Sequence, residues 1–409
     1  MENLMLNFAE KLLQCDPLLH DLFLVSLVRI LRCEEYINYI KSPLLKAEAY
    51  IHLNFNTQVH VDTDVLEKAL NFHPLGALIY IGSNFETVNR SVIAKATIFS
   101  YKHLDTLALV IGYTGSEELY KGLFINLLEE RLKLHSSPQM AILLDFMTFR
   151  YCMDSVLPFT EDIIRRYGRD ERIPDILRKT FTSTLLVSSA FRKGIASYEV
   201  ESLLERLRLS LDDLELLQAA PVLAKNIYFL GGKEVFKEIL LRLNELRKRA
   251  TRRYGIFDFI IPPSPERLSK DISRGINIIN SILFVFDLLS RSDRFKDESF
   301  AAEYLRSLYK DLQSHLILYV LTKIELRANP DRHEEIISEY LSKIKRLSEE
   351  DPAVYSQLGS IFSMKYLTNE VRQDILRYIP DNFAATKHFV LGLYEETLKQ
   401  YPLPLNEVP

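Results

Sequence analysis

Tryptophan is absent from this 409-residue chain, and glycine (13), proline (16), cysteine (3) and histidine (9) are sparse. Each shortage closes off a class of protein. Few glycines and prolines suit a helix-rich chain, because either residue costs stability inside a helix. The cysteines, Cys15, Cys33 and Cys152, are odd in number, far apart and without a CxxC pair. They form neither a disulfide framework nor a zinc site, and they point to a reducing compartment with the thiols buried as small hydrophobes. Glutamine occurs only eight times, whereas Glu, Lys, Arg, Ile and Leu are abundant. That bias is thermophile-like, since thermolabile amides are avoided there and ion pairs favoured.

Long apolar runs are missing too. The longest are Leu22 to Leu31, broken by Ser26 and Arg29, and Ile276 to Leu289, broken by Asn277, Asn280, Ser281 and Asp287. Both fall short of the roughly 18 apolar residues of a membrane span. The start, Met1-Glu2-Asn3-Leu4, lacks the basic region of a signal peptide. The expectation is a soluble, cytoplasmic protein, in which the sequon Asn89-Arg90-Ser91 carries no weight. A net charge of −4 attracts no polyanion globally, so a nucleic-acid role needs a local basic patch.

What is present is ordinary globular composition, 47% apolar and 26% charged, punctuated by helix starts. Asp16-Pro17, Ser42-Pro43, Ser137-Pro138, Ser264-Pro265 and Asp351-Pro352 each place a capping side chain before a proline at the first helical position. Asp64-Val65-Leu66-Glu67 has capping-box spacing, and Asn329-Pro330-Asp331 also opens a helix. Between these marks the apolar period is near 3.6. Ile336, Ile337, Tyr340, Leu341, Ile344 and Leu347 form one stripe, and Val235, Phe236, Ile239, Leu240, Leu243 and Leu246 another. A helix with one apolar stripe needs neighbours to cover it, so the fold class is all-α, as stacked helix hairpins or an α-solenoid-like array.

The window 50–120 admits a second reading. Ala77 to Gly82 and Leu107 to Gly112 are short apolar runs ending in glycine, with a helix over Thr87 to Tyr101 between them. They read either as strand–helix–strand, giving a small α/β segment within 50–150, or as buried helices with glycine near their ends. Tyr50 to Leu53 and Val59 to Val61 share the ambiguity. Tyr254 to Pro265, YGIFDFIIPPSP, lacks a helical stripe and marks a boundary. The expected domains are therefore 1–254 and 266–409, joined by a linker over 255–265.

Chemical motifs are thin. Gly231-Gly232-Lys233-Glu234 resembles a phosphate loop in its lysine but lacks the following Ser or Thr, and a helix-to-helix turn explains it as well. Tyr113-Thr114-Gly115-Ser116 fits a ligand phosphate or a capping Ser116. His60, Asp62 and Asp64 alternate, as a hard-metal site would, or form a solvated loop before a helix. In one respect the chain resembles helical RNases of the HEPN type, which carry an Arg, four to six residues, then a His. Arg327-Ala328-Asn329-Pro330-Asp331-Arg332-His333 matches that spacing over seven residues. The resemblance implies that Arg327 and His333 position a scissile phosphate and shuttle a proton. About two such matches arise by chance in a chain of this composition, so an Asn-Pro helix connection is the reading carried forward.

The strongest local feature is basic. Arg242, Arg247, Lys248, Arg249, Arg252 and Arg253 lie within twelve residues before Tyr254. On one helix face they would track a nucleic-acid backbone or meet a partner, although cations near a helix C-terminus are favoured in any case. A second cluster, Arg165, Arg166, Arg169, Arg172, Arg178 and Lys179, is interrupted by Asp170, Glu171 and Asp175. The functional expectation is a non-catalytic scaffold or adaptor with a protein partner, without cofactor, metal or assigned catalytic residue. The alternative is a nucleic-acid-binding protein or RNase using 242–253, and an enzyme with a small-molecule site in 75–120 is a third reading.

Overall fold

The computed structural model describes residues 2–53, 59–84, 86–102, 224–252, 265–291 and 295–400, together with Arg165, Arg169 and Ser183. Every regular element among them is helical, and none is a strand. The α-helices are α1 (Glu2–Cys15), α2 (Pro17–Leu31), α3 (Pro43–His52), α4 (Thr63–Phe72), α5 (Pro74–Ser83) and α6 (Arg90–Lys102) in the first third of the chain. There follow α7 (Lys233–Arg252), α8 (Pro265–Arg291), α9 (Glu298–Leu312), α10 (His315–Ala328), α11 (His333–Glu350), α12 (Val354–Phe362), α13 (Asn369–Tyr378) and α14 (Phe383–Gln400). Short 3-10 turns cover Glu34–Tyr39 and Pro330–Arg332.

The ambiguous window is helical wherever it is described. Residues 77–82 lie in α5 and residues 50–52 in α3, while 59–61 carry no strand pairing. The run at 107–112 lies outside the described residues. In α5 the buried run Gly76 to Ile81 is apolar nearly all round, and such a helix has no polar face to turn to water. Tyr80 holds the preceding segment against it: its hydroxyl donates to Val59 O at 3.3 Å and accepts from Val61 N at 3.2 Å.

Several starts follow the capping chemistry. Asp16 Oδ1 accepts from Leu18 N at 2.8 Å, and Ser42 Oγ accepts from Leu45 N at 3.5 Å. Others are displaced. α4 begins at Thr63 with Asp62 at the cap, so Asp64 sits in the first turn. After Asp351-Pro352 the chain makes a turn, and α12 starts only at Val354. One burial expectation fails: Cys15 is exposed, because it ends α1 on a solvent-facing turn, and Cys33 is half-buried. Cys152 lies outside the described residues.

The chain divides into two compact units. One comprises Met1–Leu128, Met147–Phe159 and Ala302–Pro409; the other comprises Glu129–Phe146 and Thr160–Ala301. Most of the expected linker, 255–264, lies outside the described residues. In the first unit α2 is central. Every residue from Leu19 to Arg29 is buried, because α1, α3 and α14 pack around it. Phe8, Phe23, Phe362 and Phe389 pack tilted or edge-to-face at centroid separations of 5.1 to 6.4 Å, so the two ends of the chain share one core. A linear repeat array would confine contacts to sequence neighbours. Helices α12 and α14 cross closely on Gly359 and Gly392. A Cβ on Gly359 would fall on Phe389 O and within 2.6 Å of Leu393 N.

In the second unit α7 packs along α8. Tyr228, Phe236, Phe286 and Phe295 form its aromatic core at 5.2 to 6.3 Å.

Candidate functional site

In the first unit ionisable side chains cluster deep in the core and along an open groove, besides scattered surface pairs such as Lys95–Glu67 and Arg377–Asp374. The core clusters are satisfied mainly by one another. Arg29 and Glu48 form a fully buried ion pair. Arg29 Nη1 also donates to Thr397 Oγ1 at 3.1 Å, and its guanidinium lies 4.5 Å from the Tyr394 ring centroid. Tyr394 donates its hydroxyl to Glu48 Oε1 at 2.6 Å, and His73 Nε2 stands 3.5 Å from Glu48 Oε2. Burial works to raise the Glu48 pKa, but Arg29, His73 and Tyr394 together hold it below the ordinary carboxylate range. Burial, reinforced by Glu48, pushes the Tyr394 phenol well up. The cluster ties α2, α3 and α14 together. Breaking such a buried pair costs about 3–5 kcal/mol, so its first role is in the fold.

A second buried pair, Lys323 Nζ to Glu396 Oε1 at 3.4 Å, joins α10 to α14, with Gln400 donating to the same carboxylate at 3.0 Å. Arg372 donates to three carbonyls, Phe362 O at 3.1 Å and both Met364 O and Leu367 O at 2.8 Å, fixing the connection between α12 and α13.

The groove is different in kind. It is an open furrow of about 470 Å3 over α10, between α9 and α11. Helical spacing aligns its parts. Arg306, Tyr309 and Lys310 lie on one face of α9, with Gln313 just beyond its end, and Arg332, Ile336, Glu339, Tyr340 and Lys343 run along the other wall. Leu318, Leu321, Thr322 and Ile336 form a buried floor. Tyr340 is buried beside them, and burial raises its phenol pKa well up, so it remains a neutral donor to Gln357 Oε1 at 3.2 Å.

Four cations and two carboxylates line this furrow. Arg306 pairs with Glu325 at 2.7 Å and Lys343 with Glu339 at 2.5 Å. Arg332 grips Glu335 in a two-pronged bond at 2.7 and 2.8 Å, which raises the arginine pKa and lowers that of Glu335. Lys310 is exposed and has no ion-pair partner among the described residues. Lys343 Nζ also sits 5.6 Å from the Tyr309 ring centroid, so the two walls meet at that end.

The residues singled out by motif fall elsewhere. Gly231 adopts φ +90°, with Gly231 N donating to Tyr228 O and Gly232 N to Ile227 O. That is the bonding of a glycine-ended helix, and it accounts for the Gly-Gly pair. Lys233 turns to Asp297 at 2.9 Å, where Tyr228 also donates at 2.6 Å. Burial, then that hydrogen bond, raises the Tyr228 pKa to about 12. His60 and Asp62 approach to 3.7 Å on the surface, with Asp64 exposed as well. His333 is buried at the start of α11, its Nε2 2.7 Å from Leu326 O, so it braces the Asn-Pro connection. Arg327 is half-buried near the end of α10.

The basic stretch does form a helix end. Arg247, however, is only 4% exposed and bonds Asn244 Oδ1 at 2.9 Å. Arg242 and Lys248 are half-buried, Arg249 is exposed and Arg252 is the last residue of α7. Arg253 lies outside the described residues, as do Tyr113 to Ser116. Of the second cluster only Arg165 and Arg169 are described, both exposed and helical. Among the described residues no three His, Cys, Asp or Glu converge as metal ligands, and no helix is long and apolar enough to cross a membrane.

The furrow was the part that motif reasoning missed. Its only sequence signal is the i, i+3, i+4, i+7 run Arg306, Tyr309, Lys310, Gln313, which any solvated helix face also shows. No family model, no curated protein and no solved structure matches the chain.

Proposed function

We propose that the protein is a non-catalytic helical scaffold or adaptor in the cytoplasm, and that it engages a protein partner through the furrow between α9 and α11. One observation carries this reading: four cations and two carboxylates are displayed together along one open channel over a buried floor of Leu318, Leu321 and Ile336. Exposed ion pairs of this kind contribute only about 0–1 kcal/mol each to folding, so they are free to exchange partners at an interface. A rigid, helix-borne rim also presents them without much ordering cost.

The test replaces Arg306, Lys310 and Lys343 together by Glu, with Arg377→Glu on α13 as the control. A partner recovered with the unaltered chain should rebuild a stoichiometric complex from purified components. The triple variant should lose that complex and the control should keep it. A partner that stays bound to the triple variant rules the furrow out as the docking surface. The nucleic-acid reading keeps Arg242, Lys248, Arg249, Arg252 and Arg253, since Arg247 is buried.

A further inference from the structure

We infer that the furrow takes a short, extended, acidic peptide segment, a proposal that rests on the furrow being the docking surface. Charge is the first argument. Glu325 and Glu339 are each already paired with a rim cation, and Arg332 holds Glu335 just outside. Lys310 alone has no counter-charge among the described residues, so the lining carries one uncompensated positive charge. The unsatisfied charge of the site is therefore positive. A ligand carboxylate can add to Lys310 and share Arg306 or Lys343 without displacing anything buried.

Shape is the second argument. From Arg332 to Lys343 the α11 wall runs eleven residues, about 16 Å at 1.5 Å per residue. That length matches about five residues of extended chain. A helical ligand needs a channel about 10–12 Å across. At one end the walls approach each other, with Lys343 Nζ 5.6 Å from the Tyr309 ring centroid, which closes that end to a helix. An extended strand, whose neighbours in a sheet lie only about 4.8 Å apart, is the slimmer ligand.

The carboxylates exclude the other polyanion. A nucleic-acid strand carries a charge at every phosphate and would have to run past Glu325 and Glu339. A peptide can set a neutral apolar side chain over them, on the floor made by Leu318, Leu321 and Ile336. The recognised pattern is thus carboxylates flanking a central aliphatic residue.

The test is fluorescence anisotropy of the full chain with a labelled peptide of sequence DELED. The label is compared with KKLKK and with a short single-stranded oligothymidylate. The acidic peptide should bind saturably and weaken as salt rises. Lys310→Glu with Lys343→Glu should weaken it at least about tenfold. Glu325→Gln should tighten it, and Arg377→Glu should leave it unchanged. Circular dichroism melting of each variant checks the fold. Equal binding of KKLKK, or oligothymidylate binding as tight as that of DELED, overturns the inference. So does absence of DELED binding; if the partner complex is still lost in the triple variant, the docking reading then survives without the acidic ligand. If the complex persists as well, both fall.

Discussion

His52 should make the fold measurably sensitive to mild acid. It ends α3 fully buried, and Arg32 Nη1 donates to its carbonyl at 3.2 Å. Burial first, then the positive charges of Arg29 and Arg32, depress its pKa from 6.5 to about 2. The folded protein therefore keeps His52 neutral, while the unfolded chain takes up a proton near pH 6.5. Below that pH the unfolded state binds more protons, so stability falls with pH down to the folded value near 2. Each pH unit in that window costs about 1.4 kcal/mol, and going from about pH 7.5 to about pH 5 removes roughly 2 kcal/mol. Urea unfolding followed by circular dichroism at both pH values measures this, with His52→Gln as the reference that cannot titrate. The gap in unfolding free energy between the two proteins should shrink by about 2 kcal/mol at the lower pH. Parallel pH dependences would show that His52 does not sit as a neutral buried group beside Arg29 and Arg32, and the electrostatic account of this core would fail.

Two further outcomes test the packing. Gly359→Ala places a methyl against the backbone of α14, which cannot yield as a side chain can, so it should destabilise by about 1–3 kcal/mol or more in thermal unfolding. Gly392→Ala, whose Cβ would lie 2.7 Å from Ser356 Cα, should do the same, and a neutral effect of both would mean the helices cross less closely. Gly231→Ala meets no atom within 4 Å but must hold φ +90°, so it should cost about 1 kcal/mol from conformation alone.

The helical class was legible from residues because it rests on local rules. The stripe Val235, Phe236, Ile239, Leu240, Leu243 and Leu246 is buried throughout, and Asp16 and Ser42 cap where their spacing implies. Pro17 and Pro43 take the first helical position because their missing N–H is needed by no carbonyl there. The strand alternative for 77–82 could not be excluded from sequence. An apolar run of six residues has no readable period, and only tertiary surroundings make it a buried helix. The same limit hid the core clusters. Arg29 and Glu48 are 19 residues apart and Tyr394 lies 346 from Glu48, so nothing local announces that they meet. Arg247 shows the reverse error. A run of cations reads as one surface, yet helical geometry turns one of its members inward beside Leu243 and Leu246. The furrow escaped notice because its two walls come from segments separated in sequence by the whole of α10, which no local pattern brings together.

The most direct test of the scaffold account is site-specific photo-crosslinking of the full chain to its purified partner. A benzoylphenylalanine replaces Tyr309, which lines the furrow, in one protein and Arg249 in another. The account predicts an efficient crosslink from position 309 in the furrow and none from position 249 on the basic helix. A crosslink from 249 alone, or to nucleic acid at that position, would contradict it.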